Sequence, residues 1–172
     1  MIGNASMNQI LMFLPALILA FSVHELAHGL TAYALGDSTA KEDGRLSLNP
    51  IRHIDPLGLV FIILVGFGWA KPVMVNPNNL RNPKVHMALI AAAGPVSNFI
   101  LAFLSFMLLV PLVRNFNLSP TLTDLFIRFS SINIVLAVFN LLPVPPLDGS
   151  KIIAGYFPGA FTIGCPSLAL LA

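Results

Sequence analysis

Charge is what this chain has least of. Asp, Glu, Lys and Arg together make up 9% of its 172 residues, against about a quarter in a soluble domain. Hydrophobic side chains make up 56% and the mean hydropathy is +0.85, so the composition is that of an integral membrane protein. Cysteine is nearly absent: Cys165 stands alone, which excludes an intrachain disulfide and a thiolate zinc site. The basic residues form no run and the formal charge is only +2, which excludes nucleic acid as a partner. The N-terminus lacks the basic stretch of a cleaved leader and its apolar run continues without a break past residue 20, so it reads as a retained span. No internal repeat is present, and the length suits a single domain over residues 1–172.

Against that background, His24-Glu25-Leu26-Ala27-His28 stands out. With 4 His and 2 Glu in the chain, chance places this H-E-x-x-H pentapeptide somewhere roughly once in a thousand such sequences. On a helix, positions i and i+4 share a face, so His24 and His28 can offer two imidazole nitrogens to one zinc ion. Glu25 falls beside them, where it can take a proton from a water that the metal activates. Ionisable groups inside a span are costly, and three in five residues need a local reason. The residues point to a metal-dependent hydrolase with its site inside the bilayer. The plainer alternative is a polar helix face buried in a membrane bundle.

Three segments are long enough to span about 20 residues of hydrocarbon core: Ile10 to Leu35, with Pro15 as an expected kink, Val85 to Val113, and Leu125 to Leu142. Gly36 to Pro56 and Lys71 to Lys84 are polar and rich in Gly, Pro or Asn, and read as loops. Leu57 to Trp69 is apolar but only 13 residues long, short for a span and suited to a re-entrant or interfacial segment. The tail from Ile152 to Ala172, interrupted by Gly and Pro, does not read as a clean helix. If Leu57–Trp69 does not cross, Lys41, Arg45, Arg52, Lys71, Arg81, Lys84 and Lys151 share one side and only Arg114 and Arg128 lie opposite. Seven against two places the first side in the cytoplasm. A crossing would leave five against four. The expected fold is therefore an all-α polytopic membrane protein, a three-span core with a re-entrant or β-hairpin-like segment between the first and second spans.

A catalytic zinc site needs a third protein ligand. Glu42, Asp43, Asp55, Asp124 and His86 are candidates, but Asp148 is better placed. It follows the third span within Pro145-Pro146-Leu147-Asp148-Gly149, where prolines end the helix and Asp-Gly suits a turn. In the three-span topology it arrives at the same inner depth as His24 and His28. Gly94 and Asn98, four apart on one face, read as a helix-packing pair. Asn140, one turn before the prolines, either contacts substrate backbone or a developing oxyanion, or ties up carbonyls freed by the helix break. His53, with Asp55, is a second candidate for substrate contact from the polar loop, though an ordinary loop role is favoured.

His24-Glu25-Leu26-Ala27-His28 together with Asn140 to Gly149 resembles the site-2 protease family of intramembrane zinc metalloproteases. Gly94-Pro95-Val96-Ser97-Asn98 is similar to that family's signature in the middle span. Asn49 to Gly58 and Ala70-Lys71-Pro72-Val73 resemble the loop that follows the first motif in its compact bacterial and archaeal members. The resemblance covers about residues 8 to 155. It implies one Zn2+ per chain bound by His24, His28 and Asp148, with Glu25 as the base. It implies a zinc metalloendopeptidase of the cell membrane, its site opening to the cytoplasmic side, that cleaves transmembrane segments of other membrane proteins, often membrane-tethered regulators such as anti-sigma factors. Members usually continue into further hydrophobic segments after the aspartate, so this chain reads as one shortened at its C-terminus. The competing expectations are a catalytically silent scaffold that binds zinc or substrate, which intact Glu25 disfavours, and a transporter, for which the inverted repeats are missing.

Overall fold

A hydrocarbon solvent leaves backbone amides and carbonyls nothing to bond to except one another, which makes long apolar segments helical. The computed structural model, which describes residues 7–53, 55–65 and 71–156, shows that outcome. Helix α1 runs Met7–Ala34 and is continuous through Pro15. Helix α2, Thr39–Glu42, is a single turn. Helix α3, Pro56–Val65, is started by Asp55, whose Oδ1 accepts the amides of Leu57 at 2.9 Å and Gly58 at 3.1 Å. Helix α4, Pro83–Phe116, opens on proline and stops where Asn117 turns left-handed at φ 46°. Helix α5 is Pro120–Asn140 and helix α6 is Asp148–Tyr156. Short 3-10 turns at Pro50–Arg52 and Pro77–Asn79 carry Asn caps, Asn49 and Asn76.

Among the described residues, three helices are long and apolar enough to cross a membrane: Leu14–Ala34 of α1, Pro83–Phe116 and Pro120–Asn140. The chain is a multi-pass membrane protein. No described residue lies in a strand, so the β-hairpin-like alternative is not seen: residues 57–65 are helical because nothing in Leu-Gly-Leu-Val-Phe-Ile-Ile-Leu-Val breaks the Asp55-capped turn. The rest of that segment, residues 66–70, lies outside the described residues. Two boundaries also differ from expectation. Helix α5 begins five residues before Leu125, because Pro120 fits the first helical position and the Ser119 hydroxyl accepts from the Leu122 amide. The tail is helical as far as Tyr156, and residues 157–172 lie outside the described residues.

Large side chains face outward and small ones pack. Ala16, Ala20, Ala32, Ala88, Ala91 and Ala137 are buried, while Leu104, Phe103, Leu108 and Val135 are exposed, the pattern expected where lipid supplies no hydrophobic drive between helices. Ala16 and Ala20 of α1 meet Ile132 and Leu136 of α5 in one cluster. Helix α6 lies against the start of α4 so closely that a Cβ on Gly155 would stand 2.6 Å from Ala88 Cβ and 2.7 Å from the Lys84 carbonyl.

Candidate metal centre

Helical periodicity puts His24 and His28 one turn apart on the inner face of α1, and their rings meet edge-on at 4.6 Å between centroids. Both are buried. The Nδ1 of His28 lies 2.7 Å from the main-chain carbonyl of Ile90. A carbonyl only accepts, so that nitrogen carries the proton and Nε2 is left with its lone pair. The Nδ1 of His24 lies 2.6 Å from Asn98 Oδ1 on α4 and is held likewise. Both Nε2 atoms point at one oxygen, Asp148 Oδ2, at 3.1 Å each.

Asp148 reaches this point because Pro143, Pro145 and Pro146 end α5 and turn the chain back. The turn falls before it, with the Leu147 amide on the Val144 carbonyl at 2.9 Å. Asp148 is therefore the first residue of α6, and not itself the turn residue expected of an Asp-Gly pair. Gly149 lets the new helix start against the old one: a Cβ there would lie 2.2 Å from the Leu141 carbonyl oxygen. The second carboxylate oxygen, Oδ1, is 3.2 Å from Lys151 Nζ.

The donors fit a zinc-like ion. Bonds of about 2.0–2.1 Å in a tetrahedron separate the ligand atoms by about 3.3 Å, close to the two 3.1 Å separations. Two imidazoles and a carboxylate suit a first-row transition ion rather than calcium or magnesium. The ligand atoms of His24, Glu25 and His28 lie within 4.8 Å of one another. Glu25 Oε2 accepts the Val73 amide at 2.9 Å, which holds the carboxylate on the wall of a cavity of about 670 Å³. The histidines, Glu25 and Asp148 line it on one side, with Pro72–Val75, Phe139 and Asn140 among the rest.

The remaining predicted residues divide. Gly94 and Asn98 do more than pack helices. A Cβ on Gly94 would stand 2.5 Å from His28 Nε2 and 2.6 Å from His24 Cε1, so this glycine makes room for both imidazoles, and Asn98 bonds one of them. Asn140 lines the cavity, and its amide donates to the Leu136 carbonyl at 2.9 Å. His53 is buried in the polar loop, its Nε2 donating to the Ser47 carbonyl at 2.6 Å, and it is not among the described residues lining the cavity. The sequence assigns no role at the site to Val73, Lys151 or Asn133. Only Asn133 carried a signal, as a polar residue within a span.

Comparison with known proteins points to a family and to zinc. The model of peptidase family M50 matches residues 115–162, the part that holds Asn140 and Asp148. "Putative zinc metalloprotease YwhC" of Bacillus subtilis is 48% identical over 148 residues, 83% of this chain and 67% of the relative. "Putative zinc metalloprotease MJ0611" of Methanocaldococcus jannaschii is 31% identical over 84% of this chain and 71% of its own. Rip2 of Mycolicibacterium smegmatis is 30% identical over 77% of this chain. The chain spans about two thirds of the Bacillus relative and 52% of the mycobacterial one. No solved structure matches it.

Proposed function

This chain belongs to peptidase family M50, the site-2 protease family, and from that premise we propose that it is an intramembrane zinc metalloprotease that hydrolyses peptide bonds in or near transmembrane segments. One observation carries the reading: two imidazole Nε2 atoms and a carboxylate oxygen, drawn from positions 124 residues apart, converge beside a glutamate on a cavity wall. His24, His28 and Asp148 would hold the zinc, one ion per chain, and the cavity side stays open for water and substrate.

When bound, zinc supplies Lewis acidity toward water and toward the scissile carbonyl. Everything else falls to the chain. Glu25 takes a proton from the attacking water and returns it to the leaving amine. The Val73 amide aims the carboxylate that does so. Asn98 and Ile90 hold the Nδ1 protons of the two histidines, so that only Nε2 faces the site. Lys151 occupies the Asp148 oxygen that the histidines leave free. A substrate helix must unwind to expose a carbonyl. The stretch 71–76, which is neither helix nor strand and whose Pro72–Val75 form part of the cavity wall, offers its backbone for the unwound segment to pair with. Membrane-tethered regulators, cleaved from the cytoplasmic side, are the substrate class that the family resemblance and the seven-to-two charge bias favour.

Zinc content and cleavage of a model transmembrane substrate by purified protein test this reading. Glu25→Gln should lose at least about 10²-fold in turnover while keeping about one zinc per chain. His24→Ala, His28→Ala and Asp148→Ala should lose metal as well. Full zinc retention by Asp148→Ala would remove it from the ligand set, and brisk proteolysis by Glu25→Gln would end the mechanism. A silent scaffold would bind zinc and cleave nothing in any form.

A further inference from the structure

We infer that Asn133, in the middle of α5, is a positioning residue of the metal centre: acting through Asn98, it sets which nitrogen of His24 carries the proton. The inference rests on His24 being a ligand, as proposed above.

An amide side chain can face either way, and here two main-chain carbonyls decide. Asn133 Nδ2 lies 2.8 Å from the Phe129 carbonyl. A carbonyl cannot donate, so the amino end of Asn133 faces Phe129 and Oδ1 faces Asn98. Asn98 Nδ2 lies 2.8 Å from that Oδ1 and 3.3 Å from the Ala20 carbonyl, so the amino end of Asn98 faces both acceptors. Its Oδ1 is then turned to His24 Nδ1, 2.6 Å away, which must donate. The result is a directed line of hydrogen bonds from α1 through α4 to α5, ending on a carbonyl. Both asparagines are 0% exposed and His24 3%, so water offers no substitute partner and a reversed amide would face acceptor against acceptor at a buried cost.

The two histidines differ in this respect. His28 is set by the main chain at Ile90, which no substitution removes. His24 is set by side chains alone. Without Asn133, the amino end of Asn98 keeps only the 3.3 Å contact with Ala20. The amide can then turn and donate to Nδ1, moving the imidazole proton onto the nitrogen that faces the site. Metal affinity depends on such outer partners by about 10- to 100-fold.

A double-mutant cycle on zinc affinity, measured by chelator competition on the full chain in detergent, tests this. Asn98→Leu should weaken zinc by about 10- to 100-fold and Asn133→Leu by about ten-fold. Because Asn133 acts through Asn98, the double variant should bind no more weakly than Asn98→Leu. Ser130→Ala, one turn away on α5, with a hydroxyl that donates only to Phe126, should stay within about twofold of wild type. Should leucine prevent folding, Asn133→Ser adds no bulk and should show the same loss. Wild-type affinity in either Asn133 variant, or losses that multiply in the double variant, overturns the inference alone. Wild-type affinity in His24→Ala overturns it together with the ligand assignment.

Discussion

A single methyl group separates Gly94 from alanine, and the site has no place for it. The added carbon would stand about a bond and a half from both imidazoles, and neither ring can retreat while its Nδ1 is held by Asn98 or Ile90. Gly94→Ala is therefore expected to insert and fold yet to lose zinc by about 10-fold or more, with activity falling in parallel. Near-stoichiometric zinc in that variant would show that the rings can shift. This residue also marks the limit of what the sequence discloses. The spacing of His24 and His28 was legible because helix geometry forces i and i+4 onto one face. Asp148 was legible because proline breaks and charge bias fix its depth. Spacing shows that Gly94 and Asn98 share a face, but it does not show what that face touches. Their contact with the histidines, and the link onward to Asn133, depend on which helices become neighbours.

At the scale of elements, a buried carboxylate ties the loops together. Asp37, just past the end of α1, is 0% exposed. Its oxygens accept from Thr39 Oγ1 at 2.6 Å, Asn79 Nδ2 at 2.7 Å, the Asn76 amide at 2.8 Å and the Thr39 amide at 3.2 Å. It thereby holds the stretch that carries Val73 to Glu25. Burial alone would raise this carboxyl, but the hydrogen bonds from Thr39, Asn79 and Asn76 outweigh it and hold the pKa below the usual carboxylate range. A lowered folded-state pKa stabilises fully above the unfolded value, about 3.9, and that contribution fades as pH falls through the folded value. Asp37→Asn sets an N–H2 against the Asn76 amide and should cost about 1–3 kcal/mol. In thermal unfolding, the gap from wild type should be constant between about pH 8 and pH 5 and narrow only below about pH 4. A gap that closes nearer neutrality would point to another group. None of this was visible in Gly36-Asp37-Ser38, which reads as an ordinary helix stop. The helices themselves were legible from hydropathy, and their starts less so. Thr121, Thr123 and Asp124 look like loop, but Pro120 and Ser119 nucleate the turn and Asp124 pairs with Arg128 at 2.6 Å.

For the molecule as a whole, the same clamp bears on topology. Asp37 is bonded to Asn76 and Asn79, so the two ends of the segment between them lie together. Single cysteines replacing Asp43, Asn78 and Ser119 in a Cys165→Ser background, labelled with an impermeant thiol reagent in intact cells, should respond accordingly. Only the one at Ser119 is expected to react from outside. If Asn78 labels from outside while Asp43 does not, the short apolar segment crosses and the placement of Asp148 beside the histidines fails. The three spans are buried over only 33%, 22% and 28% of their most apolar windows, and the groups inside them include Ser22, His24, Asn98, Ser105, Ser130 and Asn133. That distribution reverses the usual tolerance to mutation. Exchanging one lipid-facing leucine for isoleucine, valine or phenylalanine changes little, since lipid accommodates any of them. Apolar replacement of His24, Asn98 or Asn133 removes a partner that nothing else can supply. A library selected for function would keep its diversity in the greasy exterior and its invariance in a narrow thread of small and polar residues.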